Sequence, residues 1–522
     1  MDFQDDGRSD LGTAPLHLRG STTREKTNSD ASSSIGQNTT DQSSTLSSST
    51  SYQETSTVPH LSSLSLIEKY FDVVQDANPI FSKDKFLHDY QSSLCDPELV
   101  SAITTITLKL IGSNSPEDEH NLDARIARLL SSSLLEDDII GTTPSLDQFR
   151  KACILAFYDF HQFPGHQSWM RIGQITRMAY RTGLDRLESL RELYDDWGSY
   201  SNDEIQEWRS VWWCIYRLDS YSNLSSGTPY LIEHQFVNTS FILDYSHHSP
   251  GDSATPQEVH LPSDYADLYK LLPVFALSPK TFSKNVHLLS IAAMRQTGTA
   301  KRMHFARPRD DMTESLANIQ RQISTLSLSL PPGFFNPARN AFANESHEDH
   351  HARLVTVLHL MMARLLLTML SCAQAKKDKA MVLLTWQQVL EVCQDIASVM
   401  EQWNSLFCMK VDPAISFIPF TALVFLDLHK KSTAMDNPTL QTKIQYQQTV
   451  LRLNLEEFAK RWTLPRLLNL SFAGFSESVS GPLSHRHIFV ILSRFESPLH
   501  PRWLQFLSTA QAHLDSVQDA HH

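Results

Sequence analysis

Apolar residues recur at helical spacing through this sequence from about residue 60 to its end. The first stripe stands at i, i+3, i+4 and i+7, which places side chains on one helix face: Ile67, Tyr70, Phe71 and Val74. No strand-like alternation competes with these stripes. Glycine is scarce, at 16 of 522 residues, and a chain of helices needs fewer tight turns than a β-fold. The sequence therefore predicts an all-α, multi-helix fold.

The same period predicts further helices along the chain. They cover these segments: 99–110, 122–134, 149–160, 169–180, 204–223, 271–275, 286–294, 316–328, 354–370, 381–403, 417–429, 442–462 and 503–517. Gly183 follows one of these helices, as a left-handed C-terminal cap does. Ser346 and Asp349 predict a capping box before the segment 354–370. We expect a break at Pro331-Pro332-Gly333.

Composition divides the chain into a polar leader and a folded remainder. Residues 1–58 are dominated by Ser, Thr, Asp, Gln and Asn and hold almost nothing to bury, so we expect a disordered leader or linker. Prolines, histidines and serines cluster in 241–264, where we predict a loop. This loop separates a core-motif region, 59–240, from a helical continuation of the same domain, 265–522.

Neither a membrane nor an export route is indicated. The longest apolar stretch, 354–370, contains His359 and Arg364 and is shorter than the ~20 residues that a bilayer core requires. It predicts a core helix. The first residues hold no apolar run after a basic stretch, so we expect no secretory signal.

The charge and cysteine content limit the partners of this chain. With 45 basic and 58 acidic side chains the net charge is -13, which disfavours tight DNA binding by the chain alone. The six cysteines are scattered and predict buried free thiols in a reducing compartment. Zinc sites take cysteines in closely spaced pairs, whereas Cys393 and Cys408, the nearest two, lie fifteen positions apart. We expect no zinc cluster and no cofactor in this chain.

Motifs for catalysis or metal binding are not evident. The sequence contains no glycine-rich phosphate loop, no G-x-S-x-G turn and no H-E-x-x-H helix. His347, His350 and His351 stand beside Glu348 at a predicted helix start, and we expect solvated surface there rather than metal ligands. We predict no catalytic residue, no metal site and no enzyme.

One segment, 207–219, concentrates aromatic and charged side chains. The candidate residues are Arg209, Trp212, Trp213, Tyr216, Arg217 and Asp219. Aromatics at helical spacing usually face a core and buried charges usually pair, so we predict an aromatic core with an Arg and an Asp paired within the segment. The alternative is an effector pocket lined by Trp212, Trp213 and Tyr216, in which Arg209 or Arg217 holds an anionic group.

Three motifs occur in a characteristic order. The first contains Tyr70-Phe71, Pro79-Ile80-Phe81 and Phe86; the second contains Trp169, Gly173, Arg177-Met178-Ala179, Gly183-Leu184 and Arg186. The third contains Glu207, Trp212-Trp213, Tyr216, Asp219, Gly227 and Pro229. Over about residues 60–240 this order resembles the fungal-specific transcription factor domain, or middle homology region, of fungal zinc-cluster transcription factors. Two positions depart from it: Arg209 stands alone where the family often has a basic run, and Thr228 replaces a frequent Arg.

The resemblance implies a nuclear regulator of RNA polymerase II transcription whose helical body is a regulatory module. In the family, DNA is read by a zinc cluster near the N-terminus, usually in a dimer on CGG-type half-sites. Promoter DNA is therefore a direct partner only if such a cluster lies upstream of this sequence; otherwise DNA-bound transcription factors or coactivators recruit the chain. A homodimer and a small-molecule effector are further candidates. The alternative function is an all-helical metabolite-binding protein or enzyme.

Overall fold

The computed structural model describes residues 62–112, 116–132, 143–243, 258–307, 311–374, 379–432 and 437–519. Residues 60–522 form a compact unit. The predicted leader, 1–58, lies outside the described residues, as do residues 244–257 of the predicted loop. The division of the chain at that loop stays a prediction.

The described part of the chain folds into α-helices, as predicted. The helices before the loop region are α1 (Ser63–Val73), α2 (Lys83–Gln91), α3 (Pro97–Ile111), α4 (Pro116–Ser131), α5 (Leu146–Gln162), α6 (His166–Thr182), α7 (Leu187–Leu193), α8 (Asp195–Gly198) and α9 (Asn202–Ser226). Those after it are α10 (Leu272–Phe275), α11 (Pro279–Ala306), α12 (Thr313–Leu328), α13 (His347–Gln374), α14 (Lys379–Met400), α15 (Phe417–Lys430), α16 (Pro438–Ala459), α17 (Thr463–Ser478), α18 (His485–Leu492) and α19 (Pro501–Asp519). Short 3-10 turns join several of them, among them Gln75–Ala77 and Ser405–Cys408.

Local sequence sets the ends of the helices. Ser201 Oγ accepts a hydrogen bond from the backbone N–H of Glu204, whose carboxylate accepts one from the N–H of Ser201, so a capping box starts α9. The predicted cap at Gly183 is confirmed, with φ 83° and ψ 22° after α6. At the start of α13 the N–H of Asp349 donates to Ser346 Oγ at 3.0 Å, which is the N-cap half of the predicted capping box, and the carboxylate of Asp349 accepts from Ser346 Oγ at 2.8 Å.

The longest predicted core helix, α13, lies in the interior and packs against α11 and α14. By length and composition it could cross a membrane, but 78% of its most apolar stretch is buried against the rest of the protein. A core helix of a globular protein has this property. The cysteines are all free thiols, and all but the partly exposed Cys95 are buried.

The helices α5 and α9 contact segments of the chain near its C-terminal end. The amide of Gln162 at the end of α5 donates to Arg461 O at 2.8 Å, and its oxygen accepts from Thr463 Oγ1 at 2.9 Å. Ser497 Oγ donates to Ser225 O at the end of α9 at 2.6 Å. Contacts between residues some three hundred positions apart therefore hold α9 inside the fold.

Candidate functional site

The aromatic face of α9 is buried, as expected for an aromatic core. Trp212 and Tyr216 are both 0% exposed. The Trp212 ring packs edge-on against Tyr180 of α6 at 5.9 Å between ring centroids. Trp213 stacks on Phe241 at 4.8 Å, and its indole N–H donates to a backbone carbonyl at 2.9 Å. Trp212 and Tyr216 thus belong to the core between α6 and α9.

Arg209 and Asp219 find their ion-pair partners outside α9, and the predicted pairing within the segment does not occur. Arg209, fully buried, donates from Nε to Glu188 Oε1 at 2.7 Å. The second oxygen of Glu188 accepts the backbone N–H of Ser240 at 3.1 Å. Arg209 is therefore a structural cation that ties α7 to α9, and it does not face a ligand pocket.

Asp219 pairs with Arg295 of α11. The guanidinium donates to Asp219 Oδ2 at 2.9 Å, and both side chains are almost completely buried. The carboxylate also accepts the backbone N–H groups of Leu231 and Ile232 at 3.0 and 3.2 Å. Since a buried carboxylate is costly unless it is fully hydrogen-bonded, this network fixes the turn after α9.

Three residues of the predicted signature lie near that turn. The indole N–H of Trp169 donates to Asn223 Oδ1 at 3.0 Å, joining α6 to the end of α9. At Gly173 an added Cβ would lie 3.3 Å from a methyl of Leu231, so a larger residue would crowd the turn. Gly227 ends α9 with φ 71°, a left-handed conformation that glycine tolerates best. These residues support the packing of α6 on α9.

The other two signature residues differ in their surroundings. Gly183 ends α6, and an added Cβ there would meet Leu190 Cδ1 at 2.8 Å. Pro229 is exposed in the turn that follows α9.

Arg217 differs from the other two arginines of this region. Its side chain is 8% exposed, and it donates to Ala77 O at 3.4 Å and Asn78 Oδ1 at 3.1 Å. Within the described ranges, no carboxylate lies at ion-pair distance from this guanidinium. A buried arginine without a carboxylate at ion-pair distance is unusual.

Arg217 lines a cavity of about 350 Å³ between α9, α11 and α13. Its buried lining includes Gln75, Trp213, Cys214, Arg217, Val355 and Asp412, and we call it the Arg217 cavity. Of the residues proposed from the sequence to line an effector pocket, Trp213 and Arg217 line this cavity. Trp212, Tyr216 and Arg209 face other parts of the core. Pocket volumes of this size suit small molecules.

The rim of the Arg217 cavity is balanced in charge. Lys280, Lys284 and Lys410 stand there together with the carboxylates of Asp76, Glu348 and Asp349. The ammonium of Lys410 lies 3.9 Å from both Asp76 and Glu348. Burial of Asp76 raises the pKa of its carboxyl group, which the nearby Lys410 opposes. Opposite charges at the entrance cancel to a first approximation.

The second buried charge of the cavity, Asp412, has its own partner. His161 Nδ1 lies 2.7 Å from Phe157 O, a contact that requires a proton on that nitrogen. Its Nε2 lies 2.9 Å from Asp412 Oδ1, within ion-pair distance although outside hydrogen-bond geometry. Asp412 therefore has a basic neighbour other than Arg217.

A thiol pair lies next to Arg217. Cys214 Sγ donates to Asn78 Oδ1 at 2.9 Å and also forms a hydrogen bond with Cys153. Burial raises the pKa of Cys214, but the hydrogen bond with Cys153 and the Arg217 charge outweigh it and leave the pKa below its usual value. The pKa of Cys153 lies well above its usual value because of the same hydrogen bond and burial.

The histidines at the start of α13 are buried, and the prediction of solvated surface there is wrong for two of them. His350 and His351 are 3% and 2% exposed. His351 Nε2 accepts the backbone N–H of Asn404 at 3.1 Å, and its ring stacks on Phe407 at 3.7 Å. The segment that covers His351 lies more than fifty residues downstream, and His350 Nε2 lies 2.9 Å from Pro337 O, thirteen residues upstream, so the pattern within the helix does not reveal these contacts. In the part of the chain that the structure describes, no group of three or more metal-binding side chains is placed to hold a metal ion.

Sequence reasoning missed most of the cavity lining. Gln75, Asp412 and Lys410 come from segments far from α9 in the chain. The sequence gives one indication for Gln75, because this polar residue interrupts the apolar stripe that continues from α1. No comparable signal marks Asp412.

Comparison with known proteins places this architecture in a family. The fungal specific transcription factor domain matches residues 67–332, just over half of the chain. The pigment biosynthesis transcriptional activator pigB of Monascus ruber is 26% identical over 181 residues, which cover 33% of this chain and 31% of that relative. The alignment thus spans about a third of the relative's length. No solved structure matches the chain.

The family match takes in the helices α1 to α12, and with them the signature residues around the end of α9 and one wall of the Arg217 cavity. The order of motifs seen in the sequence lies within the matched range. This chain belongs to the family of proteins that carry the fungal specific transcription factor domain.

Proposed function

We propose that this protein is a nuclear regulator of RNA polymerase II transcription and that its helical body is the regulatory module. Family membership over residues 67–332 carries the proposal. The relative from Monascus ruber, a transcriptional activator by name, supports it. In this role the protein acts by binding and not by catalysis.

Two routes to promoter DNA follow from the charge and cysteine content. At net charge -13 the chain repels phosphate over most of its surface. DNA is reached either through a zinc cluster encoded upstream of this sequence or through a DNA-bound partner that recruits the helical module. The second route predicts that the purified 522-residue chain has no salt-sensitive affinity for promoter DNA.

Chromatin immunoprecipitation of the tagged protein tests the proposal, together with mapping of its transcript start in the same cells. We expect enrichment at promoters. A transcript that extends upstream and encodes paired cysteines would support direct DNA reading, and one that does not would support recruitment. Absence of the protein from chromatin would contradict a role in transcription.

The Arg217 cavity favours a second property, the binding of a metabolite. In a transcription regulator such a site binds an effector. In a protein that is absent from chromatin, metabolite binding would itself be the main function. We therefore treat metabolite binding as part of the regulatory role. A homodimer is a further proposal, which light scattering of the purified chain tests.

A further inference from the structure

In the part of the chain that the structure describes, Arg217 is a buried cation of the cavity with no carboxylate at ion-pair distance. It donates to a carbonyl and an amide oxygen and forms a hydrogen bond with Cys214, while His161 lies at ion-pair distance from Asp412. His287, a further basic group at this site, has a pKa well below its usual value because of burial, so it stays neutral near pH 7. The rim charges cancel. The cavity therefore offers a buried guanidinium that an anionic group of a ligand could contact.

Other side chains of the cavity lining indicate the chemistry of the rest of a ligand. Val355, Leu288 and Phe407 are buried apolar walls, and Trp213 adds an aromatic surface. The oxygen Oε1 of Gln75 is buried without a hydrogen-bond partner in the described chain, while its amide nitrogen donates to Phe81 O at 2.9 Å. An unpartnered buried acceptor is destabilising, and a ligand donor would satisfy it.

We propose that the Arg217 cavity binds a compact effector with one carboxylate and an apolar body. This inference rests on the proposed regulatory function and names the ligand class of its effector site. The carboxylate contacts the guanidinium of Arg217, because a charge-assisted pair with a buried arginine is the strongest contact that this cavity offers. The apolar body lies between Trp213 and Val355. At about 350 Å³ the cavity is at the small end of ligand pockets, which favours a small metabolite.

Binding at this position connects distant parts of the chain. The cavity is lined by the turn after α1, by α9, α11 and α13, and by the segment 407–412. A ligand that contacts all of them stabilises the arrangement in which they meet, since binding to the folded state alone shifts the equilibrium towards it. Loss of the ligand would leave Arg217 without an anionic partner.

The test uses pairs of probes that differ only in charge. The full 522-residue chain is titrated with phenylacetate, indole-3-acetate and 4-methylpentanoate, and with the primary amide of each, by calorimetry and thermal unfolding. We expect at least one acid to bind about tenfold or more tightly than its amide, because hydrogen bonds to charged groups are the stronger ones. If no acid is preferred over its amide, the proposal is wrong.

Two variants assign the preference to the cavity. Arg217→Met should remove the preference for the acid and leave weak binding of both probes. Lys301→Met is the control: Lys301 is also a buried basic side chain, 6% exposed, but its ammonium nitrogen lies 4.4 Å from the Phe495 ring centroid in a different pocket. Retention of the acid preference in Arg217→Met, or an equal loss in Lys301→Met, would overturn the assignment.

A third variant covers the case in which Arg217→Met does not fold. Ser283 is half-buried on α11 and lines the cavity, so Ser283→Trp fills it while Arg217 remains. We expect this variant to unfold like the wild type and to lose acid binding, and continued binding would contradict the proposal. These measurements need no promoter, so they can fail while chromatin enrichment stands, or the reverse.

Discussion

Arg295 holds the turn after α9 in place. Its guanidinium donates to Asp219 Oδ2 and Ser220 Oγ at 2.9 and 2.8 Å, and also to Ile232 O. It lies 4.6 and 4.1 Å from the ring centroids of Tyr216 and Tyr230. One buried cation thus satisfies a carboxylate, a hydroxyl, a carbonyl and two aromatic rings. The neighbouring Arg217 has no such set of partners, which is why we assign it to ligand binding.

At the scale of single residues, we predict that Arg295→Met lowers the free energy of unfolding by about 3–5 kcal/mol, because it leaves Asp219 buried without its cation. Urea unfolding followed by circular dichroism measures the free energy of unfolding. Lys83→Met, which removes an exposed ion pair with Asp72, is the control and should change little. A loss for Arg295→Met no larger than that of the control would show that the pair is not structural.

At the scale of the element, the helices end where local chemistry provides a cap. α6 ends at Gly183 and α9 at Gly227, both in the left-handed conformation. The helices that sequence reasoning did not predict are α2, α7, α8, α17 and α18. Among them α17 carried a signal, because Leu464, Leu468 and Phe475 are buried at helical spacing. The short α2 buries only Phe86 and gave almost no stripe.

We predict that Gly183→Ala destabilises the end of α6. An alanine at φ 83° costs roughly 1–2 kcal/mol, and its Cβ would also lie 2.8 Å from Leu190 Cδ1. Gly474→Ala in α17 is the control: nothing lies within 4 Å of its added Cβ, so the helix should gain up to about 1 kcal/mol. Thermal unfolding of both variants gives the comparison, and a neutral Gly183→Ala would contradict the role of the cap.

At the scale of the whole molecule, burial keeps several histidines neutral. His359 in α13 lies between Tyr221 Oη and Ser290 Oγ at 2.8 and 3.0 Å. Since Ser290 donates to a carbonyl, His359 Nδ1 donates to Ser290 and its Nε2 accepts from Tyr221. Burial lowers the pKa of His359 and of His429 to about 3.

These shifts predict that the protein loses stability in mild acid. A neutral buried histidine has a folded-state pKa below its unfolded value, so its contribution is fully present above about pH 6.5 and is lost as pH falls towards the folded pKa. Between pH 6.5 and 5 each of the two histidines accounts for about 2 kcal/mol of the free energy of unfolding. Denaturant unfolding at a series of pH values measures this loss. His429→Phe, which keeps a ring over Trp386, should flatten the curve, and an unchanged curve would contradict the assignment.

The order of motifs in the sequence by itself indicated the family. The sequence also determined the helical fold, the cap residues of α6 and α13, and the burial of the α9 aromatics. All of these depend on residues within a few turns of each other, where the helical period decides which side chains share a face. Only the tertiary structure decided that Asp219 pairs with Arg295, that Arg209 pairs with Glu188, that His350 and His351 are buried, and that Arg217 opens into a cavity. Partners such as Asp219 and Arg295 lie 76 positions apart. The helical period predicts which face of a helix is apolar, but it does not predict which other helix packs against that face.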